Sequence, residues 1–198
     1  MFMLMDHCLS RVRAYEVLKE PRPVMSQETL TGATLAYLIN TNRRRLALSD
    51  VVNLGIHLCS AVQYLHRHNV LHLDLKPSNV VSERQLAKVI DLSITRSPAR
   101  DRKGARTPQY MAPEQARGGY LSPATDVWGT SRLRPAKSLS TPTMKTTNPA
   151  TCKPRDGSPR SHRRVPVRFA NLVESCLEPD PAQRSTVQGL MKALTAYS

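Results

Sequence analysis

At 198 residues and 40% hydrophobic content, the chain can form one good-sized domain with a real core, or two small ones. The formal net charge of +14 invites a nucleic-acid or acidic-membrane partner, but residues 130–164 alone hold nine Lys or Arg against the single acid Asp156. The four cysteines form no C-x-x-C pair, which argues against a zinc site and fits a reducing compartment, so we expect a cytoplasmic protein. No apolar run is long enough to span a bilayer, and Met1-Phe2-Met3-Leu4-Met5 is too short for a signal peptide.

The first predicted elements are two strands joined by a turn. Residues 11–18 partly alternate as a half-buried strand does, and residues 24–30 read as a second strand. Pro21 and Pro23 lie between them, and proline fixes φ and removes a backbone donor. The pattern therefore predicts a hairpin.

A short helix over residues 34–39 and then a long one are predicted next. Ser49 offers an N-cap to the long helix, and Asp50 is favourably placed in its first turn. Apolar residues recur at helical spacing and give one buried face: Val51, Gly55, Leu58, Val62 and Leu65. Three histidines on or near this helix lack a cysteine or carboxylate cluster, so we predict surface residues rather than metal ligands: His57, His66 and His68.

Polar residues with related chemistry follow the long helix. The stretch His72-Leu73-Asp74-Leu75-Lys76-Pro77-Ser78-Asn79 sets an acid, a lysine and an amide in one short loop. After a predicted hairpin, a second acid ends the apolar run Val89-Ile90-Asp91. Phosphoryl transfer needs this set, because a carboxylate must orient the hydroxyl nucleophile, a cation must neutralise the phosphoryl group, and oxygen ligands must hold Mg²⁺.

Three later motifs complete a resemblance to a known family. They are Thr107-Pro108-Gln109-Tyr110-Met111-Ala112-Pro113-Glu114, then Asp126-Val127-Trp128-Gly129, then the turn from Cys176 to Arg184. With the loop at residues 72–79, these motifs resemble those of eukaryotic-type serine/threonine protein kinases, in the same order. The resemblance implies an α+β, protein-kinase-like fold, mostly the α-helical large lobe with a remnant strand pair of the small lobe.

Catalytic roles follow from the resemblance. Asp74 would accept or orient the proton of the substrate hydroxyl, and Lys76 would stabilise charge on the transferred phosphoryl group. Thr107 would lie near both of them and contact the same hydroxyl. Glu114 would form a partly buried ion pair with Arg184. The implied partner is a protein substrate with Ser or Thr.

Cofactor roles follow in the same way. Asn79 and Asp91 would be the Mg²⁺ ligands, and the backbone of Glu28 and Leu30 would hydrogen-bond the adenine of ATP. The implied activity is ATP-dependent phosphoryl transfer to protein Ser or Thr.

Several positions depart from the family pattern. Leu73 replaces the usual arginine, which in the family pairs with a phosphate on the activation loop, so we expect no regulation by such phosphorylation. Leu92-Ser93 replaces Phe-Gly, and the sequence holds no G-x-G-x-x-G loop and no V-A-I-K-like lysine. A second reading therefore stays open, namely a catalytically weak or inactive kinase-derived protein such as a pseudokinase, a scaffold or a frameshifted gene product.

We expect four parts along the chain. Remnant small-lobe strands and a hinge occupy residues 1–30, the large-lobe catalytic region 31–129, a disordered basic Ser/Thr/Pro-rich segment 130–164, and the last large-lobe helices 165–198. Five prolines forbid a long helix in the third part: 135, 142, 149, 154 and 159. That part has no aromatic residue to stack on bases, so no specific nucleic acid is expected, and no pattern indicates an oligomeric state.

The abrupt change after Gly129 has two possible explanations. Two compensating frameshifts would garble the segment and then restore the frame, whereas a true insertion would be disordered throughout. Under the frameshift hypothesis, we predict that another reading frame of the coding DNA encodes an apolar helix continuing from Trp128. Translation of the other two frames tests this, and no helical apolar period in either would leave a true insertion.

Overall fold

The computed structural model describes residues 14–18, 24–41, 47–101, 108–133 and 166–197. The helices are α1 Leu35–Thr41, α2 Leu48–Arg67, α3 Pro113–Arg117, α4 Pro123–Arg132, α5 Val167–Ser175 and α6 Val187–Thr195. The strands are β1 Ala14–Leu18, β2 Val24–Gln27, β3 Ala33–Thr34, β4 Val80–Glu83, β5 Leu86–Val89, β6 Ala99–Arg100 and β7 Tyr120–Leu121. The fold is α+β and mostly helical, as the sequence predicts.

All the described strands pair antiparallel. β1 and β2 form the predicted hairpin, although β2 ends at Gln27 and residues 28–30 continue without regular structure. β3, β4 and β5 form a three-stranded sheet in that order, and β6 pairs with β7. The turn between β4 and β5 consists of Arg84 and Gln85, both with positive φ (48° and 67°), which suits the twist of a two-residue hairpin.

Helix α2 is the centre of the hydrophobic core and packs mainly on α6 and β5. Val52, Leu58 and Val62 are fully buried on its apolar face. A Cβ at Gly55 would lie 2.8 Å from a methyl carbon of Leu194 on α6, so the two helices pack closely here and a larger residue would make the Leu194 side chain shift. The prediction of Ser49 as N-cap is wrong, because the helix begins at Leu48 and the carboxylate of Asp50 accepts the N–H of Ala47 (3.3 Å).

Helix α4 extends past the boundary predicted at Gly129. It continues to Arg132, and the Leu133 side chain after it is buried in the core. Pro135 accounts for the helix end, because proline lacks the N–H that another turn would need and restricts the residue before it. Residues 130–133 belong to the segment where disorder is predicted, yet they form the end of α4 and its cap; the rest of that segment, residues 134–164, lies outside the described residues.

Two cysteines lie in the same core. Cys59 on α2 and Cys176 after α5 are both free and buried, as predicted. Burial raises the pKa of the Cys59 thiol to about 12, and the neighbouring Cys176 adds to the shift. Both thiols therefore stay protonated and act as apolar packing groups. Within the described ranges, no helix is both long and apolar enough to cross a membrane.

Candidate active site

The loop at residues 71–79 is held in place by one buried carboxylate. Asp126, in the first turn of α4, accepts the N–H of His72 (2.9 Å) and the N–H of Leu73 (2.8 Å) on its two oxygens. His66 Nε2 also lies 2.9 Å from Asp126. Only 12% of the His66 side chain is exposed, so the prediction of a surface histidine is wrong for this residue.

Leu73 adopts a strained backbone conformation that this carboxylate supports. Its φ is 67°, a left-handed value that is costly for a branched side chain, by about 1–3 kcal/mol. The bond to Asp126 holds its N–H, and the Gln115 side chain donates to its carbonyl (2.9 Å). The Leu73 side chain is buried against Leu71 and Leu121, so an apolar cluster occupies the place where the resembled family has an arginine.

The predicted acid, lysine and amide meet at one oxygen. Lys76 Nζ lies 2.6 Å from Asp74 Oδ2, and the Asn79 side-chain amide donates to the same oxygen at 3.0 Å. The Asn79 amide also donates to the Asp74 backbone carbonyl at 2.9 Å. Pro77 begins a 3₁₀ turn that brings Asn79 back towards Asp74. The geometry leaves the carboxylate oriented by a cation and an amide.

Asp91 lies beside this cluster. The N–H of Ile90 donates to the Asn79 carbonyl (3.0 Å). Asp91 is the next residue in the chain, so this hydrogen bond places it next to the loop. Hydrogen bonding to Ser93, opposed by partial burial, holds the pKa of the exposed Asp91 carboxyl below its usual value. Its φ of 65° is left-handed, another strained position that the sequence did not indicate.

His72 is fully buried, and burial lowers its pKa, which keeps the ring neutral.

The ion pair between Glu114 and Arg184 is confirmed. Two guanidinium nitrogens of Arg184 donate to the two Glu114 oxygens at 2.7 and 2.8 Å. The same guanidinium donates to the carbonyls of Ala124 (2.9 Å) and Glu178 (2.7 Å), and it lies 5.0 Å from the ring centroid of Trp128. Arg184 thus joins α3, α4 and the turn before α6.

Comparison with known proteins decides the family. A sequence model of the protein kinase domain matches residues 5–194, which is nearly the whole chain. The chain belongs to the protein kinase family. This confirms the resemblance to serine/threonine protein kinases and the kinase-like function expected from the motifs. ATP and Mg²⁺ are the typical cofactors of this family, and a kinase domain implies a protein substrate.

Curated relatives of this kinase chain include eukaryotic and bacterial enzymes. Human myosin light chain kinase 3 is 36% identical over an alignment of 107 residues, which covers 51% of the chain and 13% of the relative. The serine/threonine-protein kinase PknB of Mycolicibacterium smegmatis is 30% identical over an alignment of 116 residues, which covers 54% of the chain and 18% of the relative. The chain therefore spans under a fifth of the length of either relative.

In the kinase chain, the predicted adenine contacts lie in the segment 28–32, between β2 and β3. The Glu28 carboxylate binds Lys88 on β5 (2.6 Å), and the segment continues into β3, which pairs with β4 directly after Asn79. The segment and the loop at residues 71–79 are thus joined through one strand. Thr107, the remaining predicted site residue, lies outside the described residues.

The segment 96–101, which lies where the resembled family begins its activation loop, is exposed at Ser97, Ala99 and Arg100 but not at Asp101. Asp101 is buried and forms an ion pair with Arg96. Its N–H donates to the Gly119 carbonyl (2.8 Å), next to the pairing of β6 with β7. Sequence reasoning missed Asp101 because an acid among basic residues looks like a solvated one. It missed the anchoring role of Asp126 too, although an acid directly before the large apolar pair Val127-Trp128 is itself a signal of burial.

These contacts predict a small effect for Ser97→Ala. Ser97 is exposed, Arg96 is already paired with Asp101, and the buried Leu73 cannot bind a phosphate. We expect the variant to change the free energy of unfolding by less than about 0.5 kcal/mol, with phosphoryl transfer unaffected. Urea denaturation and a transfer assay beside the wild type check this, and a large loss of transfer would contradict it.

Proposed function

We propose that this chain transfers the γ-phosphoryl group of Mg²⁺-bound ATP to Ser or Thr hydroxyls of a protein. The observation that carries the proposal is the Asp74 carboxylate, whose Oδ2 is contacted by both Lys76 (2.6 Å) and Asn79 (3.0 Å). Transfer depends mainly on positioning and charge neutralisation, and a loop tied to the buried Asp126 supplies the necessary rigidity.

Each catalytic residue has a separate role in the proposal. Because both contacts fall on Oδ2 of Asp74, its other oxygen can face the substrate hydroxyl and orient its proton. Lys76, only 2.6 Å from that carboxylate, would offset charge on the phosphoryl group. Thr107 would contact the hydroxyl, a role that the family motif alone supports.

The side chains proposed as cofactor ligands, those of Asn79 and Asp91, have the chemistry needed to bind Mg²⁺ together with ATP. The side-chain amide nitrogen of Asn79 donates to Asp74, which directs its oxygen elsewhere, and Asp91 offers an exposed carboxylate nearby. Carboxylate and amide oxygens suit Mg²⁺, which usually takes one or two protein ligands with phosphates and water. Bound Mg²⁺ would neutralise the phosphates. The backbone of Glu28 and Leu30 would hydrogen-bond the adenine.

A magnesium-dependent thermal shift tests the cofactor assignment. We expect ATP to raise the melting temperature only with Mg²⁺ present, and weakly, because the sequence contains no glycine-rich phosphate loop. At an ATP concentration ten times the Kd, stabilisation should be about 1.4 kcal/mol. Asp91→Asn should remove the response, whereas Glu174→Gln, at an exposed position on α5, should keep it. An equal response with and without Mg²⁺ would refute the assignment.

A catalytically weak or inactive kinase-derived protein is the second candidate. It is favoured by Leu92 and Ser93, which follow Asp91 where the family pattern has Phe-Gly, and by the absence of a glycine-rich loop from the sequence. Serine adopts positive φ only at a cost that glycine avoids. Turnover by the purified chain distinguishes the candidates, because only the first predicts it. The free buried thiols of Cys59 and Cys176 support a cytoplasmic setting in either case.

A further inference from the structure

The C-terminal end of the segment 28–32 is fixed by the carboxylate of Glu83, which belongs to the β4–β5 hairpin. Glu83 accepts the N–H of Thr31 (3.1 Å) and the N–H of Gly32 (2.5 Å), and the Thr31 hydroxyl donates to it at 3.1 Å. Only 12% of the Glu83 side chain is exposed. Hydrogen bonds to an ionised acceptor are about twice as strong as neutral ones, so this carboxylate holds two successive peptide groups.

The backbone itself lies directly on the hairpin at this point. A Cβ at Gly32 would lie 1.9 Å from the carbonyl oxygen of Ser82, which no side chain could tolerate. The antiparallel pairing of Ala33 with Ser82 begins at the next residue. Glycine is therefore required for the close approach that lets Glu83 reach both amides.

The N-terminal end of the segment 28–32 is fixed by an ion pair to the same hairpin. Lys88 Nζ lies 2.6 Å from Glu28 Oε2, and only 9% and 16% of the two side chains are exposed. Because its carboxylate faces β5, Glu28 can offer a ligand its backbone groups. These are the groups assigned to adenine in the proposed function.

We propose that Glu83 and Lys88 are positioning residues, which hold segment 28–32 from both ends in the conformation that accepts the adenine ring. This rests on the proposed function, since it concerns the same nucleotide site. Neither residue needs to touch the nucleotide. Their effect is to keep the backbone of Glu28 and Leu30 in place before binding, so that little ordering is needed when adenine arrives.

The size of the effect follows from the fraction of chains whose segment is correctly placed. If loss of the Glu83 contacts reduces that fraction to a tenth, the apparent Kd for ATP rises about tenfold. The loss of affinity should be confined to ligands that carry the adenine base. Asn79 and Asp91 belong to the far end of the nucleotide site, so the affinity for magnesium tripolyphosphate, which has no adenine, should not change.

The experiment compares Glu83→Ala and the double variant Glu28→Gln/Lys88→Met with two matched controls. Gln85→Ala changes an exposed residue in the turn of the same hairpin, and Lys192→Met changes an exposed lysine on α6. Circular dichroism verifies folding. Two properties are measured, namely the exchange of the Thr31 and Gly32 amides in the nucleotide-free chain, and the Kd for ATP and for magnesium tripolyphosphate.

We expect faster exchange at residues 31 and 32 in Glu83→Ala, and an ATP Kd raised about tenfold in both test variants. Tripolyphosphate binding and both controls should stay at the wild-type values. Wild-type ATP binding in Glu83→Ala, or equal losses for ATP and tripolyphosphate, would overturn this inference and leave the proposed function intact. A wild-type chain that binds no ATP while its Thr31 and Gly32 amides are protected would overturn the proposed function, and this inference with it.

Discussion

Replacement of Asp74 by asparagine is expected to lower phosphoryl transfer by about 10²–10⁴-fold, the usual contribution of a positioned proton acceptor. Asparagine keeps the shape of the side chain and one acceptor oxygen for Lys76 or the Asn79 amide, which lie at 2.6 and 3.0 Å from Asp74. It removes the charge that orients and receives the hydroxyl proton. Transfer of radiolabelled phosphate from ATP to a peptide with Ser or Thr measures the loss.

Two comparisons make this result specific. Glu174→Gln makes the same chemical change at an exposed site on α5, and its rate should equal that of the wild type. The magnesium-dependent thermal shift should persist in Asp74→Asn, because Asn79 and Asp91 are unchanged. If Asp74→Asn kept more than about a tenth of the wild-type rate, Asp74 could not be the proton acceptor.

Replacement of Arg184 by methionine is expected to lower the free energy of unfolding by about 3–5 kcal/mol. The change leaves Glu114, 8% exposed, as a buried charge without its bidentate partner. It also removes the donors to the carbonyls of Ala124 and Glu178. Small domains have about 5–15 kcal/mol in total, so the variant should be close to unfolding at 37 °C. Urea denaturation measures the difference.

The control for this variant is Arg168→Met, the same change at an exposed position on α5. A surface substitution of this kind should cost less than about 0.5 kcal/mol. In the double variant Glu114→Gln/Arg184→Met no charge is stranded, so the loss should be smaller than in Arg184→Met alone. Equal losses in Arg184→Met and Arg168→Met would mean that the ion pair adds nothing to stability.

The local elements of this protein were determined by the sequence itself. The spacing of Leu58, Val62 and Leu65 predicts α2, and the two prolines after Leu18 predict the turn of the β1–β2 hairpin. Asp74, Lys76 and Asn79 lie within six residues, so a short loop necessarily brings them near one another. Helical periodicity and proline stereochemistry act over a few residues. These features can therefore be predicted without knowledge of the tertiary structure.

The contacts that hold those elements together were decided by the tertiary structure. Asp126 binds the loop amide of Leu73 from 53 residues away, and Lys88 meets Glu28 across 60. Burial of Asp101 beside Arg96 likewise depends on the pairing of β6 with β7. Composition describes each of these charges as a solvated one. Only packing reveals the partner of each charge, because the cost of burying a charge is offset by groups that the fold delivers from elsewhere in the chain.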